Sequence, residues 1–558
     1  MSQEVANDES TVSPVTTGVT ESSTPLAAFR HSVRRRPDAT AMACFGREWS
    51  YAQLGRDVAA AASVLERAGM RRGDRMIVQQ QNGPQFVIAT LAAWSIGASI
   101  VPVSPMYTSA EVKAIAIDSG ARAWLMTPRQ WDAHGEAAVS GTNLRVLLTA
   151  RTSEFSESVE PRIAEAEDGD GPVEGIRFAK EIAANLGSPP RIGGLAGEQD
   201  APGPSEEAIL AYTSGSTGRP RGVRVSHGNL ISIGRAYVQA SGVDSEAEVL
   251  LAMAPLVHIT GLSLHIGAWL ATGCQLVLAD RFEPATFLKA IEEHHVTWTT
   301  GAATAYLAMM KAGAENVDLS SWRYAGCGGA PIPPQLAREV AASLGVELGP
   351  GYGLTESTAA VTTTPVGEVT RVDEETGIVS VGKPLPGVSV RIVDEHGATL
   401  KPHQEGLIQV AGPGRTLGYW QDEVATRAAY LPDGWLQTND MGFRDDRGWL
   451  YIAGRQSQVI IASGYKVWPR QVEDVLYAHP LVREAAVVGA ADEYRGETVV
   501  AYVSLKAPVS EEELREYCQE ALAAYKVPRA VRFLPELPKN PNGKIDSLRL
   551  KEMANAGD

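Results

Sequence analysis

Between residues 50 and 127, helix-length and strand-length segments alternate, and this alternation restricts the fold more than any other feature of the chain. The segment SYAQLGRDVAAAASVLERAG (50–69) opens on a capping box, Ser50 with Gln53, and closes on a helix-stopping glycine. It sets Leu54, Val58, Ala61 and Leu65 on one helical face. RMIVQQQ then reads as a strand, QFVIATLAAWSIG after Pro84 as a helix, and SIVPV as a strand; residues 109–119 read as a helix and ARAWLMT as a strand. Strands alternating with helices imply a parallel sheet with right-handed crossovers, a doubly wound lobe. Residues 76–110 carry no charge, which raises the question of a membrane span. Because Pro84, Gly97 and Pro102 divide the run, a buried helix and a buried strand are expected instead.

From 152 to 207 the chain turns acidic and rich in Pro and Gly (AEDGDGPVEG, GLAGEQDAPGPSEE), so a long surface excursion is expected there. The strand AILAY then feeds YTSGSTGRPRGVRVSH (212–227), where Gly, Ser and Thr are followed by Arg219 and Arg221. Close backbone approach, successive N–H groups, hydroxyls and guanidinium forks are what phosphate oxygens require. The pattern G-x-x-x-x-G-K-[ST] cannot be placed on it, so it is not a Walker A loop. A second α/β run follows in EVLLAMAPL, QLVLA, VTWTTG and a helix containing Tyr306, and a ligand is expected in the cleft beyond the carboxyl ends of the strands. After Gly377 the texture is β-rich, and past Gly454 a small α+β unit appears. The expected division is a disordered tail over 1–25, a large domain over 26–454 and a small C-terminal domain over 455–558.

A chain of 558 residues is too long for one core. With 50 Lys and Arg against 66 Asp and Glu, its net charge of −16 argues against non-specific nucleic-acid binding. Four scattered cysteines, Cys44, Cys274, Cys327 and Cys518, form no C-x-x-C, which argues against a zinc site and a disulfide framework and fits a reducing cytoplasm. The N-terminus lacks the basic start and apolar middle of a signal peptide.

Eight motifs now stand in order: YTSGSTGRPRGV at Tyr212, PLVHITGL at Pro255, GGAPIP at Gly328, GYGLTE at Gly351, DGWLQTND at Asp433, YIAGRQSQ at Tyr451, SGYKVWP at Ser463 and LPKNPNGKI at Leu537. On these the chain resembles the adenylate-forming superfamily of acyl-CoA synthetases, aryl-CoA ligases, firefly luciferases and peptide-synthetase adenylation domains, from about Phe29 to Leu550. The resemblance implies an α/β fold with a large N-terminal domain of two doubly wound sublobes and a β-rich sublobe, plus a small mobile α+β C-terminal domain. It implies ATP, Mg²⁺ and CoA as cofactors and a carboxylic acid converted to its acyl adenylate with release of pyrophosphate. Thr213, Ser214, Gly215, Ser216, Thr217, Gly218 and Arg221 would hold the outer phosphates; Thr355 would touch the α-phosphate and Glu356 would hold Mg²⁺. Gly328, Gly329, Ala330 and Pro331 would wall the adenine, with Tyr352 on its other face and Gly353 beside it. Asp440 would accept from the ribose hydroxyls, and Arg455 would contact the ribose or phosphate side. Lys544 would bridge the incoming carboxylate and the α-phosphate. For thiolysis, Ser457 occupies the hinge position, Ser463, Gly464 and Tyr465 would line the thiol tunnel, and His258 would gate it. The acyl pocket would be lined by Val257, His258, Thr260, Leu264, Thr300, Tyr306 and Cys327, a set suited to a medium-chain, cyclic or aromatic acid.

Four positions depart from the pattern: Arg221 for lysine, Asn439 for glycine, Ser457 for Asp or Lys, and Gln458 for an acidic residue. Asn439 is tolerable if its φ is positive, a region Asn accepts. The departures around Ser457 keep open a carrier protein or an amine as acceptor in place of CoA. Neither they nor the motifs choose between monomer and homodimer.

Overall fold

The computed structural model describes residues 23–186, 201–213, 220–329, 332, 334–462, 465–492, 495–539 and 545–556. Ser214, Gly215, Ser216, Thr217, Gly218, Ala330, Pro331, Ser463, Gly464 and Lys544 lie outside the described residues, as does the side chain of Ser457.

The alternation near the N-terminus gives the expected elements. Tyr51–Arg67 is a helix whose Ser50–Gln53 capping box is closed in both directions. The charge-free run divides into the helix Pro84–Ser95, every residue of which is buried, and the buried strand Ser99–Pro102. Among the described residues no helix is long and apolar enough to cross a membrane. Seven strands form the first sheet, in the order 176–177, 146–149, 123–126, 75–78, 99–102, 207–213, 221–226. All neighbours are parallel except the last pair, the hairpin that flanks the phosphate-loop sequence.

A second sheet of nine strands runs in the order 383–384, 362–363, 348–352, 324–327, 298–301, 249–251, 275–278, 40–44, 47–50. Its middle is parallel and its edges antiparallel, so the N-terminal strands Thr40–Cys44 and Arg47–Ser50 belong to the second lobe rather than the first. Four antiparallel strands, Ser389–Val393, Gly406–Ala411, Leu436–Arg444 and Leu450–Arg455, make the β-rich part.

Past Arg455 a five-stranded sheet carries helices Pro469–Ala478, Glu511–Ala521 and Ser547–Ala556. Alternate residues of its long strands face two separate cores: Val487 and Val499 pack with Leu476 and Leu514, Val488 and Val500 with Leu537 and Leu550. That period of two makes the unit self-sufficient in apolar burial, as a separate domain must be.

Two expectations need correction. Pro25 already begins the helix Pro25–Arg35, capped by the hydroxyl of Thr24, so ordered chain starts before residue 26. The acidic stretch after Thr152 is more than a surface excursion. It contributes the strand Ile176–Arg177 to the first sheet, and helix Phe178–Asn185 buries Phe178 and Ile182 against helix Tyr51–Arg67. Its few apolar residues fall together on one helical side, which average composition conceals.

The same stretch delivers a buried polar cluster to the junction of the two lobes. The Thr152 hydroxyl lies 2.8 Å from Glu167 Oε1, 2.9 Å from Asp280 Oδ1 and 3.0 Å from Gln85 Nε2. A hydroxyl has one hydrogen and two lone pairs, and Gln85 takes one lone pair. The hydroxyl hydrogen satisfies one carboxylate, so the other acid must bring its own proton to the remaining lone pair. Burial accordingly pushes Glu167 up to about 7, with the Asp280 charge adding to the shift, and also raises Asp280. The thiol of Cys44 and the guanidinium groups of Arg162 and Arg281 complete the ionisable surroundings.

Candidate active site

Thr213, Gly328, Gly329 and the turn at Thr355 follow the carboxyl ends of strands Glu207–Thr213, Tyr324–Cys327 and Leu348–Tyr352, where doubly wound sheets place a ligand cleft. Thr213 ends the strand Glu207–Thr213, and its hydroxyl reaches the Arg221 carbonyl at 3.4 Å across the base of the phosphate-loop sequence. Arg221 extends from the returning strand, 3.5 Å from Asp422 and over the ring of Tyr419. Strand Tyr324–Cys327 runs into Gly328 and Gly329; Gly329 has φ +81°, a conformation that favours glycine. The neighbouring strand Leu348–Tyr352 leads into the short turn Thr355–Ser357.

Asp440 is buried, 5% exposed, and both its oxygens are engaged. Tyr352 donates its hydroxyl to Oδ2 at 2.5 Å, and the Arg455 guanidinium stands 3.2 Å from Oδ1. The Arg455 contact follows from register, since Asp440 and Arg455 are partners across adjacent antiparallel strands. Burial, then the Asp440 charge, push the Tyr352 phenol well above its usual range, so it stays protonated and donates. Asn439 beside Asp440 has φ +62°, the left-handed conformation its side chain accommodates in place of glycine.

Glu356 points one oxygen, Oε1, at the Tyr419 hydroxyl 2.8 Å away. Its turn is held from behind: Thr416 N–H donates to the Glu356 carbonyl and the Thr358 hydroxyl to the Gly414 carbonyl. Thr358 and Ala359 both have positive φ, +59° and +76°, which for a β-branched residue is strained. A cluster of three or more potential ligand side chains that could form a resident metal centre is absent among the described residues. The Glu356 carboxylate itself is half-exposed.

Gly353 owes its identity to this turn. A Cβ there would lie 1.3 Å from the Ala359 carbonyl oxygen, so Gly353→Ala must displace the loop carrying Thr355 and Glu356. We expect a destabilisation of about 1–3 kcal/mol, read by urea denaturation, with loss of nucleotide affinity read by calorimetry.

The remaining candidates line the other side. His258 and Thr260 are half-buried where a short helical turn, Ile259–Gly261, passes into the π-helical stretch Leu262–Gly267. Thr300, Tyr306 and Cys327 are buried, as is Leu264, whereas Val257 is partly open. The Thr300 hydroxyl is paired with that of Tyr237 at 2.6 Å, and the Tyr306 hydroxyl donates to the Gly326 carbonyl at 2.6 Å. Tyr465 is 57% exposed on the small domain and stacks on Tyr525, ring centroids 4.7 Å apart, away from the residues above.

Sequence reading missed the segment Leu417–Asp422. It pairs along the returning strand through the Val223–Tyr419 bridge and the Trp420 N–H to Gly222 carbonyl bond. Trp420 Nε1–H donates to the Asp118 carbonyl while Tyr212 donates to the Asp118 carboxylate, which locks the hairpin to the first lobe. The contiguous aromatics Tyr419 and Trp420 after Gly418 were the available signal.

A strand hairpin flanking a Gly/Ser/Thr-rich sequence, with the Asp440 carboxylate bonded to Tyr352 and the Glu356 carboxylate bonded to Tyr419 beside that hairpin, fits the class of adenylate-forming enzymes. Residues 29–420 match the model of the AMP-binding enzyme family, and 471–544 that of the AMP-binding enzyme C-terminal domain. The chain is 32% identical over 535 residues to a long-chain-fatty-acid–CoA ligase of Bacillus subtilis, covering 93% of each. It is 32% identical over 516 residues to a feruloyl-CoA synthase of Amycolatopsis, covering 92% of this chain and 95% of the relative. The structure of ATP-bound MatB from Rhodopseudomonas palustris superposes with a TM-score of 0.81 at 26% identity, covering 95% of this chain and 98% of that one. The chain therefore belongs to the AMP-binding enzyme family, and it is an AMP-forming acid:CoA ligase that uses ATP, Mg²⁺ and CoA.

Proposed function

We propose that the acid activated here is a medium-chain, cyclic or aromatic carboxylic acid, held against Val257, Thr260, Leu264, Thr300, Tyr306 and Cys327. The observation that carries this reading is that the pocket hydroxyls of Thr300 and Tyr306 are already paired within the protein. Pairing leaves neither hydroxyl as a free donor to a ligand, which suits an apolar body whose only polar group is the reacting carboxylate.

The roles of the site residues are those the family resemblance implies, and their chemistry suits them. Asp440 takes the ribose hydroxyls and Tyr352 lays its ring against the base, fixing where the α-phosphorus sits. The 213–218 loop and Arg221 restrain the outer phosphates, and Thr355 donates to the α-phosphate. A carboxylate oxygen then forms a bond to the α-phosphorus as the bond to pyrophosphate breaks, with Lys544 neutralising the charge that accumulates between two anions. Glu356 would hold magnesium, which would supply charge neutralisation of the phosphate oxygens. In the second step the CoA sulfur bonds to the acyl carbon, the mixed anhydride breaks and AMP leaves, with the thiol proton released to water. His258 opens the path for the thiol, and rotation of 455–558 about Ser457 exchanges the Lys544 face for that of Ser463, Gly464 and Tyr465.

A panel of acids graded by length and ring content, assayed for pyrophosphate release without CoA and for CoA ester with it, tests the reading. Highest kcat/KM for medium-chain or cyclic acids is expected. A maximum at long-chain acids would overturn the pocket assignment, and release without any CoA ester would point to another acceptor.

A further inference from the structure

Tyr419 sits where the cores of the first lobe and the β-rich part meet, and its ring packs edge-on against Tyr430 at 5.8 Å. That accounts for an aromatic ring but not for a hydroxyl. The hydroxyl is 2.8 Å from Glu356 Oε1, in a chain where 63 residues separate the two. Its backbone meanwhile bridges to Val223 on the strand that leaves the phosphate loop, and the next residue, Trp420, bonds Gly222 on that strand. One residue thus ties the carboxylate to the hairpin that frames the phosphates.

We propose that Tyr419 is a positioning residue for the metal–nucleotide complex: its hydroxyl holds one oxygen of Glu356 so that the other faces the cation, at a spacing from the phosphate loop set by the Tyr419 backbone. The inference rests on the assignment of Glu356 to magnesium. Without the hydroxyl, the carboxylate on its strained turn is free to rotate, and the cation must order it on binding. The cost falls on the metal-dependent part of nucleotide affinity alone. Arg221, whose guanidinium lies over the Tyr419 ring, stays paired with Asp422 in either case.

The test is calorimetric, on the full chain, comparing ATP affinity with excess Mg²⁺ and with EDTA for the wild type, Tyr419→Phe, Glu356→Gln and the double variant. Tyr419→Phe is expected to weaken Mg·ATP binding by about tenfold, the worth of one hydrogen bond to a charged group, and to leave binding in EDTA unchanged. The magnesium concentration for half-maximal pyrophosphate release should rise by a similar factor, with KM for the acid and the melting temperature unaltered. In the double variant the two losses should not add. Equal weakening with and without magnesium, or fully additive losses, would mark the tyrosine as merely structural and overturn the proposal. If Glu356→Gln leaves the magnesium-dependent increment intact, the metal assignment itself falls, whereas loss in Glu356→Gln with none in Tyr419→Phe removes the positioning role alone.

Discussion

Lys544→Ala is expected to lower acid-dependent pyrophosphate release by about two to three orders of magnitude, the effect of deleting one donor aimed at charge that develops in a transition state. Both partners in the first step are anions, and they must come within bonding distance before pyrophosphate can leave. An ammonium on a long stem lowers that barrier and can then withdraw. Lys539 and Ile545, on either side of the segment, are joined by a backbone bridge, so melting temperature should be unchanged. CoA-ester formation from synthetic acyl adenylate should also persist, because the role proposed for Lys544 belongs to the first step alone. Undiminished pyrophosphate release would refute the assignment.

Glu167→Gln should stabilise the protein at alkaline pH, an unusual outcome for altering a buried, fully bonded carboxylate. The Thr152 hydroxyl has room for only one ionised acid among its partners, and burial makes Glu167 the one that, below about pH 7, holds a proton in the folded chain and loses it on unfolding. A carboxyl whose folded pKa, about 7, exceeds its unfolded value of 4.5 contributes stability that is complete below 4.5 and is lost as pH rises through 7. Glutamine reproduces the protonated acid at all pH values, with its amide N–H directed at Thr152. The gain of Glu167→Gln over the wild type should therefore be small at pH 5 and on the order of 3 kcal/mol at pH 8. Parallel melting profiles of the two proteins across that range would contradict it.

These expectations differ in how they could be reached. The candidates Lys544, Asp440 and Glu356 stand within short motifs, because each proposed role would be tied to a local backbone shape that needs particular glycines and turns. Asn439 is legible for the same reason: its left-handed backbone is a property of one residue and its side chain. The helix Tyr51–Arg67 and the strands around it follow from local periodicity. The cluster of Gln85, Thr152, Glu167 and Asp280 draws on both lobes, and an acidic, Gly-rich stretch gives no sign that one of its carboxylates is buried. Tyr419 is similar: an aromatic residue in sequence predicts burial, whereas the direction of its hydroxyl depends on a turn 63 residues away. Motifs therefore gave the candidate reacting groups, and tertiary packing alone showed which residues lie beside them.

All four thiols are buried, and burial pushes Cys518 up to about 11 and Cys274 and Cys327 up to about 12, with Cys44 raised further. The folded protein therefore offers alkylating dyes and nitroxide labels almost no thiolate. A cysteine placed on the surface of each domain would be modified selectively without removing the native four, and fluorescence transfer or spin–spin distances between the labels would report domain rotation turnover by turnover against a silent background.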